Sequence, residues 1–474
     1  MTSAVAAVDL GATSGRVMLG HVGHNELRLR PVARFPNGPV TTADGLHWDL
    51  TGLYRHVING LAAALREEPG VLSIGVDSWA VDYALLQGGR MLAEPFHYRD
   101  ERNTVAVASA HELVKPSELY ARNGLQFLPF NTLYQLTADR LSGHLVEADE
   151  FLLVPDLLNF WLTGERRTER TNASTTGLLN LATGSWDDEL IARLGLPREI
   201  FPALMDAGAT VGGLLPGVAA EIGAGAHVSV TAVGSHDTAS AIVAIPATTE
   251  DFAYISCGTW GLVGVELDSP VLSEQSRAAN FTNEGGVDGR VRFLHNVMGL
   301  WLLSESVRTW EAEGNSIDLV PLLKAAAAVT TKVPLFDAND ERFLAPGDTP
   351  ARIAEWLNER GLSVPQSRAE FVRCILESLA DAFAQAVRTA SELSRKTVSV
   401  IHLVGGGSQN ELLCQLTADR SGLTVLAGPV EATAIGNVLV QARAQGAVRG
   451  DLETLRALVA AAFHPVAFAP SSSR

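Results

Sequence analysis

Two periods of apolar residues alternate along the chain. Val5 to Val8 is an uninterrupted apolar run, Gly11 to Gly15 a glycine-bounded turn, and Arg16 to Val22 a returning strand. The chain therefore opens on a predicted hairpin. Leu53, Val57, Leu61 and Leu65 recur every four residues, which places one apolar stripe on a helix that stops before Pro69 and Gly70. Strands follow at Val71 to Val76 and Val81 to Leu86. Helices are expected over Pro155 to Leu162 and Asp187 to Leu194, and a buried strand over Val228 to Val233 that runs into Gly234, Ser235, His236 and Asp237.

A similar order then restarts. Tyr254 to Cys257 reads as a strand, Gly258 to Gly261 as a second glycine-bounded turn and Leu262 to Leu267 as its return, about 250 residues after the first hairpin. Phe371, Ile375, Leu379, Phe383 and Val387 mark a long helix. Strand Val398 to Val404, helix Asn410 to Arg420, strand Leu423 to Ala427 and helix Glu431 to Ala444 complete the series. Such alternation predicts an α/β protein with parallel strands, built as two similar domains, 1–244 and 245–474, facing one another across a central cleft. The switch is expected between Ala244 and Asp251, and Asp288 to Arg290 and Asp337 to Pro350 read as loops.

Composition narrows the function. The 36 Lys and Arg residues face 53 Asp and Glu, a net charge of -17, which disfavours a phosphate-backbone grip on nucleic acid. No apolar run approaches a membrane span, and the N-terminal segment has no basic leader, so a cytoplasmic protein without membrane or nucleic-acid partners is expected. Cys257, Cys374 and Cys414 are scattered without a C-x-x-C pair, against a disulfide framework or a structural zinc site.

Glycine turns after strands are the means by which backbone N–H groups converge on an oxyanion, and Thr13, Ser14 and Arg16 add donors to the first of them. For one such turn alone an ordinary hairpin is the preferred reading. The echo at Gly258, Thr259 and Gly261 favours phosphate binding. The chain's lysines are Lys115, Lys324, Lys332 and Lys396, none after a glycine, which excludes a P-loop. Protein-kinase signatures and the hydrolase G-x-S-x-G elbow are also absent. Gly405 to Asn410 follows a strand and precedes a helix, suiting either an adenine or ribose rest or close strand-on-helix packing. Asp9, Asp77 and Asp237 stand at strand ends, where open α/β sheets face their ligands. Asp237 reads either as a general base for phosphoryl transfer to an alcohol or as a first-turn acid on a helix capped by Ser235.

Together VDLGATSGR, GSHDTASA, CGTWGL and LVGGGSQN, in this order, resemble the FGGY carbohydrate kinases of the actin and hexokinase (ribonuclease H-like) superfamily. GLQFLPFNTLYQL (124–136), FTNEGG (281–286), NVMGLWLL (296–303) and GPVEATAIGN (428–437) narrow the likeness to one branch, and it spans Val5 to about Gly446. The resemblance implies transfer from ATP to the 1-hydroxyl of a 6-deoxy ketose, L-rhamnulose. It makes Asp237 the proton acceptor, and Ala80, His236, Asp237, Thr238 and Asn296 the sugar contacts. It further implies that Ala12, Thr13, Ser14, Gly15, Arg16, Thr259, Ser304 and Gly405 contact ATP, and that Asp9 holds Mg2+ through water. Two positions depart from the family pattern: Ala80 replaces a glycine and Ser304 a glutamine. A kinase for fuculose or xylulose, or a non-catalytic sugar sensor, is the alternative, and a monomer or small homo-oligomer is expected.

Overall fold

The computed structural model describes residues 3–314 and 316–471. Its first sheet is built from β1 (Ser3–Leu10), β2 (Ser14–Gly23), β3 (Glu26–Pro36), β4 (Val71–Ser78), β5 (Thr210–Gly213) and β6 (Ser229–Thr231), in the spatial order β5-β6-β4-β1-β2-β3. β1 pairs antiparallel with β2, Leu10 opposite Gly15, which is the predicted hairpin. It pairs parallel with β4 on its other edge, and β4 in turn pairs parallel with β6. Every residue of β1 after Ser3 is buried, as its unbroken apolar run requires of a central strand covered on both faces.

The second sheet contains β7 (Phe252–Cys257), β8 (Trp260–Leu267), β9 (Val291–Met298), β10 (Val400–Val404), β11 (Thr424–Ala427) and β12 (Val466–Phe468). β7 and β8 form an antiparallel hairpin, and β10 runs parallel to β7 on its far edge. The arrangement of β1, β2 and β4 is thus repeated in β7, β8 and β10. Both sheets are mixed rather than wholly parallel, because each hairpin adds an antiparallel strand to a parallel core.

The helices that matter below are α1 (Leu50–Glu67), α2 (Asp237–Val243), α3 (Trp301–Ala312), α4 (Arg368–Ser394), α5 (Glu411–Ser421) and α6 (Ala432–Ala444). Asp49 caps α1 by accepting from the Gly52 N–H, and Leu53, Val57, Leu61 and Leu65 are its buried stripe, as their spacing predicts. Ser367 and Glu370 form a capping box that starts α4, whose buried face includes Ile375, Leu379, Phe383 and Val387.

Two compact units emerge from the packing. One comprises Met1–Thr248, Glu266–Phe293 and Ala432–Phe463, the other Thr249–Val265, Leu294–Glu431 and His464–Arg474. Helix α6 therefore packs within the first unit although it lies late in the chain. Gln441 donates to the Ala6 carbonyl (3.0 Å) and Asn437 to that of Gly75 (3.2 Å), tying α6 to β1 and β4.

Other elements depart from the sequence pattern. The strand expected from Val81 begins at Tyr83 instead. Val81 has φ 68°, and the Asp82 N–H donates to the Ala80 carbonyl (2.9 Å), closing a tight turn of a kind that strains a β-branched residue. The expected strand Val228 to Val233 is paired only over Ser229–Thr231, and the loop 337–350 holds a short 3-10 turn at Glu341–Phe343. Cys257, Cys374 and Cys414 are free and buried, and burial pushes each thiol up to about 12. Among the described residues no helix is long and apolar enough to cross a membrane.

Candidate active site

In the first unit, parallel pairing aligns three strand ends. Asp9 of β1 sits directly opposite Asp77 of β4, and Ser78 bridges to His236, just before α2. The Ser78 N–H donates to the Ser235 carbonyl (2.9 Å) and the Trp79 N–H to that of Leu10 (3.1 Å), so the chain ends stay in register past the last ladder pair. Asp9, Asp77 and Asp237 consequently gather at the carboxyl edge of one sheet, the edge at which open α/β sheets bind ligands.

Their environments differ. Asp9 is buried and accepts from Arg16 Nε (2.9 Å) and Nη2 (2.8 Å). Asp77 is wholly buried and accepts from Asn437 Nδ2 (2.5 Å); burial first, then the charge of Asp9, pushes its carboxyl well above the usual range. Asp237 is the accessible one, with 29% of its side chain exposed. Thr238 Oγ1 donates to Asp237 Oδ1 (3.1 Å), and His236 Nε2 lies 3.4 Å from the same oxygen. Asp237 opens α2 as its first residue, but Ser235 does not cap the helix as expected. The Ser235 N–H and Oγ instead donate to Glu169 Oε2 (3.0 and 2.9 Å), a buried carboxylate that also accepts from Thr171 Oγ1 (2.5 Å). The loop carrying His236 and Asp237 is thereby fixed from behind.

Ala12 to Arg16 lie at the β1–β2 turn beside Asp9, with Thr13 and Ser14 exposed. The Gly11 N–H donates to the Ser14 carbonyl (2.9 Å), and Asn37 Nδ2 donates to the Gly11 carbonyl (2.8 Å). Gly15 is small for a packing reason, since a Cβ there would lie 2.2 Å from the Phe35 ring. In the second unit Thr259, Ser304 and Gly405 form their own group. The Trp301 N–H donates to the Thr259 carbonyl (3.2 Å), placing the turn against the start of α3, which carries an exposed Ser304 one turn on. Gly405 has φ 82°, and a Cβ there would approach the Cys257 carbonyl to 3.0 Å, so this loop packs on the strand that leads into Gly258. The run 406–409 is a 3-10 turn, and Asn410 caps α5 by accepting from the Leu413 N–H (3.1 Å). Asn296 is half-buried on β9.

The N-terminal domain model of the FGGY carbohydrate kinases matches residues 4–244, and the C-terminal domain model matches 253–445. The chain belongs to the FGGY family of carbohydrate kinases. Curated relatives include "Rhamnulokinase" of Pectobacterium carotovorum, 44% identical over 95% of this chain and 90% of the relative, and "Rhamnulokinase" of Bacteroides thetaiotaomicron, 40% identical over 96% and 93%. Among solved structures, gluconate kinase from Lactobacillus acidophilus superposes with TM-score 0.80 at 18% identity, covering 99% of this chain and 94% of that one. Plasmodium falciparum glycerol kinase with ADP gives 0.77 at 14% identity over the same shares. These structural likenesses establish the two-domain α/β fold.

A further cluster in this carbohydrate kinase surrounds Ala80. Asp82 is buried and accepts from Trp48 Nε1 (2.6 Å), Trp79 Nε1 (3.0 Å), Gln135 Nε2 (2.9 Å) and the Tyr98 N–H (3.2 Å). Burial outweighs these donors and raises its carboxyl to about 6. Trp48 packs on Trp79 and His97 at centroid distances of 4.0 and 4.2 Å, which makes a rigid aromatic block with Asp82 as its hub. Trp79 belongs to this block and Tyr83 does not. Tyr83 faces away into the core beside Phe151, with its hydroxyl donating to Asp139. Trp48 and His97 are the partners that sequence reading missed, because they lie 31 residues before and 18 after Trp79 with no periodic link.

His97 gives this block a pH signature. Burial, followed by the Arg99 charge, lowers its pKa to about 3, and Nδ1 accepts from the Arg99 N–H (3.0 Å). Because the folded value lies below the unfolded ~6.5, the associated stability is present above pH ~6.5 and is lost as pH falls towards 3. We expect the urea midpoint of the wild type to fall across that window, and His97→Phe to flatten the fall. An unchanged slope in the variant would show that His97 does not carry it.

Proposed function

We propose that this carbohydrate kinase transfers the γ-phosphoryl group of ATP to the 1-hydroxyl of L-rhamnulose. The carrying observation is 44% identity to a relative named rhamnulokinase across 95% of the chain, and the accessible Asp237 among otherwise buried strand-end carboxylates supports it. In this reading Asp237 accepts the proton of the sugar hydroxyl while that oxygen bonds the γ-phosphorus. The bond from the γ-phosphorus to its bridging oxygen breaks, and ADP leaves.

His236, Thr238, Asn296 and Ala80 line the sugar, and Trp79, backed by the buried Trp48, gives the apolar wall that a 6-deoxy carbon needs. Ala12 to Arg16 and Thr259, Ser304 and Gly405 contact ATP, with Thr13 and Thr259 donating to phosphate oxygens. Residues 1–244 supply sugar binding, the first phosphate turn and the proton-accepting carboxylate, and 245–474 nucleotide binding. Among the described residues no three His, Cys, Asp or Glu side chains gather as a metal cage. Mg2+ takes one or two carboxylates and leaves its other positions to water and phosphate. Asp9 would hold it through water, and it would neutralise charge on the phosphates.

The test is ADP release coupled to a panel of sugars. L-rhamnulose is expected to give the highest kcat/KM, with weaker activity on fuculose or xylulose. Faster turnover of either of those would refute the sugar assignment, and release with none of them would refute the reaction.

A further inference from the structure

FTNEGG supplied part of the likeness to one family branch, yet none of its residues has been given a task. In the fold its Glu284 lies on the strand Thr282–Gly285, a neighbour of β9, and Arg292 follows near the start of β9. Arg292 is completely buried, and its Nη2 lies 3.1 Å from Glu284 Oε2. Its Nε donates to the Gly285 carbonyl (2.9 Å). A buried guanidinium is costly to keep and is retained in a core only where its partners are well placed. Here both partners hold it against a third group. Arg292 Nη2 is 3.0 Å from His236 Nδ1, and Glu284 Oε2 is 3.2 Å from the same nitrogen.

A guanidinium carries donors and no acceptor, so an imidazole nitrogen that meets Arg292 must offer its lone pair. The ring hydrogen of neutral His236 then sits on Nε2. A protonated ring carries a hydrogen on Nε2 as well, with the Glu284 carboxylate 3.2 Å from Nδ1 as its neighbouring charge. Nε2–H then lies on the Asp237 side of the ring, 3.4 Å from Oδ1, an ion-pair separation that a small ring rotation would turn into a hydrogen bond. Thr238 Oγ1 donates to that oxygen at 3.1 Å. Thr238 thus engages Oδ1 and His236 lies on the same side, which directs the proton-accepting task to Oδ2.

We propose that Glu284 and Arg292 are positioning residues that fix the His236 imidazole, so that His236 Nε2–H and Thr238 hold Asp237 Oδ1 and present Oδ2 to the substrate hydroxyl. The proposal rests on Asp237 being the proton acceptor. It adds to His236 a role beyond touching the sugar, and it gives the FTNEGG segment a function. Without the pair the ring can rotate and Asp237 loses a fixed donor. Misplacing a reacting group by about 1 Å costs up to ~100-fold in rate.

The experiment uses the full-length protein. Long-range 1H–15N spectra of protein labelled at histidine nitrogens, with the His236 signals identified by their loss in His236→Gln, are expected to show the hydrogen on Nε2. A neutral ring protonated on Nδ1 would overturn the proposal without any variant having to fold. In Arg292→Lys, kcat for sugar phosphorylation is expected to fall ~10- to 100-fold, with KM for ATP within about twofold and the fixed His236 pattern lost. Glu284→Gln, which keeps an acceptor for Arg292, is expected to retain more activity than Glu284→Ala. Should Arg292→Lys fail to fold, the Glu284 pair still decides. If Asp237→Asn is inactive while Arg292→Lys and Glu284→Ala keep wild-type kcat, this inference fails alone. Should Asp237→Asn itself turn over normally, the underlying reading fails.

Discussion

Replacing Asp237 by Asn is expected to lower kcat ~100- to 10,000-fold, the span that one general base contributes, while the protein still folds and binds sugar. The amide keeps the shape of the carboxylate and its position as the first residue of α2. It cannot accept a proton. Asp9 and Asp77 do not substitute for it: Asp9 is held by Arg16, and Asp77 is wholly buried against Asn437. Thr238 Oγ1 can still donate to an amide oxygen, so the loop should keep its place. The measurement is coupled ADP release with L-rhamnulose beside sugar binding by calorimetry. Near-normal turnover would return Asp237 to the role of a first-turn acid that merely complements the helix dipole.

The amino-acid pattern located most of this arrangement. Both hairpins were legible because an apolar run, a glycine turn and a second apolar run leave few alternatives, and β1, β2, β7 and β8 fall where those runs lie. The α1 and α4 stripes were legible from spacing alone. Strand-end carboxylates were visible as well, since an Asp closing a buried run is conspicuous. Less visible was which of them stays accessible. Asp77 reads like Asp9 in sequence, and its burial depends on Asn437, 360 residues away, arriving on α6. No local period announces that residues 432–463 pack with the first unit.

The same limit applies to side-chain partners. Ser235 sits where an N-cap belongs, and local rules favour that role. Glu169 takes its hydroxyl and N–H, because a buried carboxylate needs several donors and the loop supplies two. Tyr83 lies four residues from Trp79 and still faces another cluster, since the Val81 turn reverses the chain between them. Glu284 and Arg292 could be noticed as a motif and a nearby cation, but their convergence on His236 requires two strands and a loop to meet.

Gly436→Ala is expected to be the most damaging small change outside the candidate site. A Cβ on residue 436 would lie 1.8 Å from the Ser240 carbonyl oxygen and 2.6 Å from its carbon, both backbone atoms that cannot swing aside as a side chain would. Helices α6 and α2 therefore touch backbone to backbone, and only glycine permits it. Overpacking of this kind usually costs about 1–3 kcal/mol, seen as a lower urea midpoint at unchanged slope. The consequence should reach catalysis, because α2 begins at Asp237 and the residue after Gly436 is the Asn437 that holds Asp77. Separating the helices moves Asp237 relative to Asp9 and Asp77, so kcat should fall by ~10-fold or more even in the fraction that remains folded. Gly217→Ala is the control, since a Cβ there meets nothing within 4 Å and the position is helical. If the two variants match in midpoint and in kcat, α2 and α6 do not touch as described, and the path from α6 to Asp237 is broken.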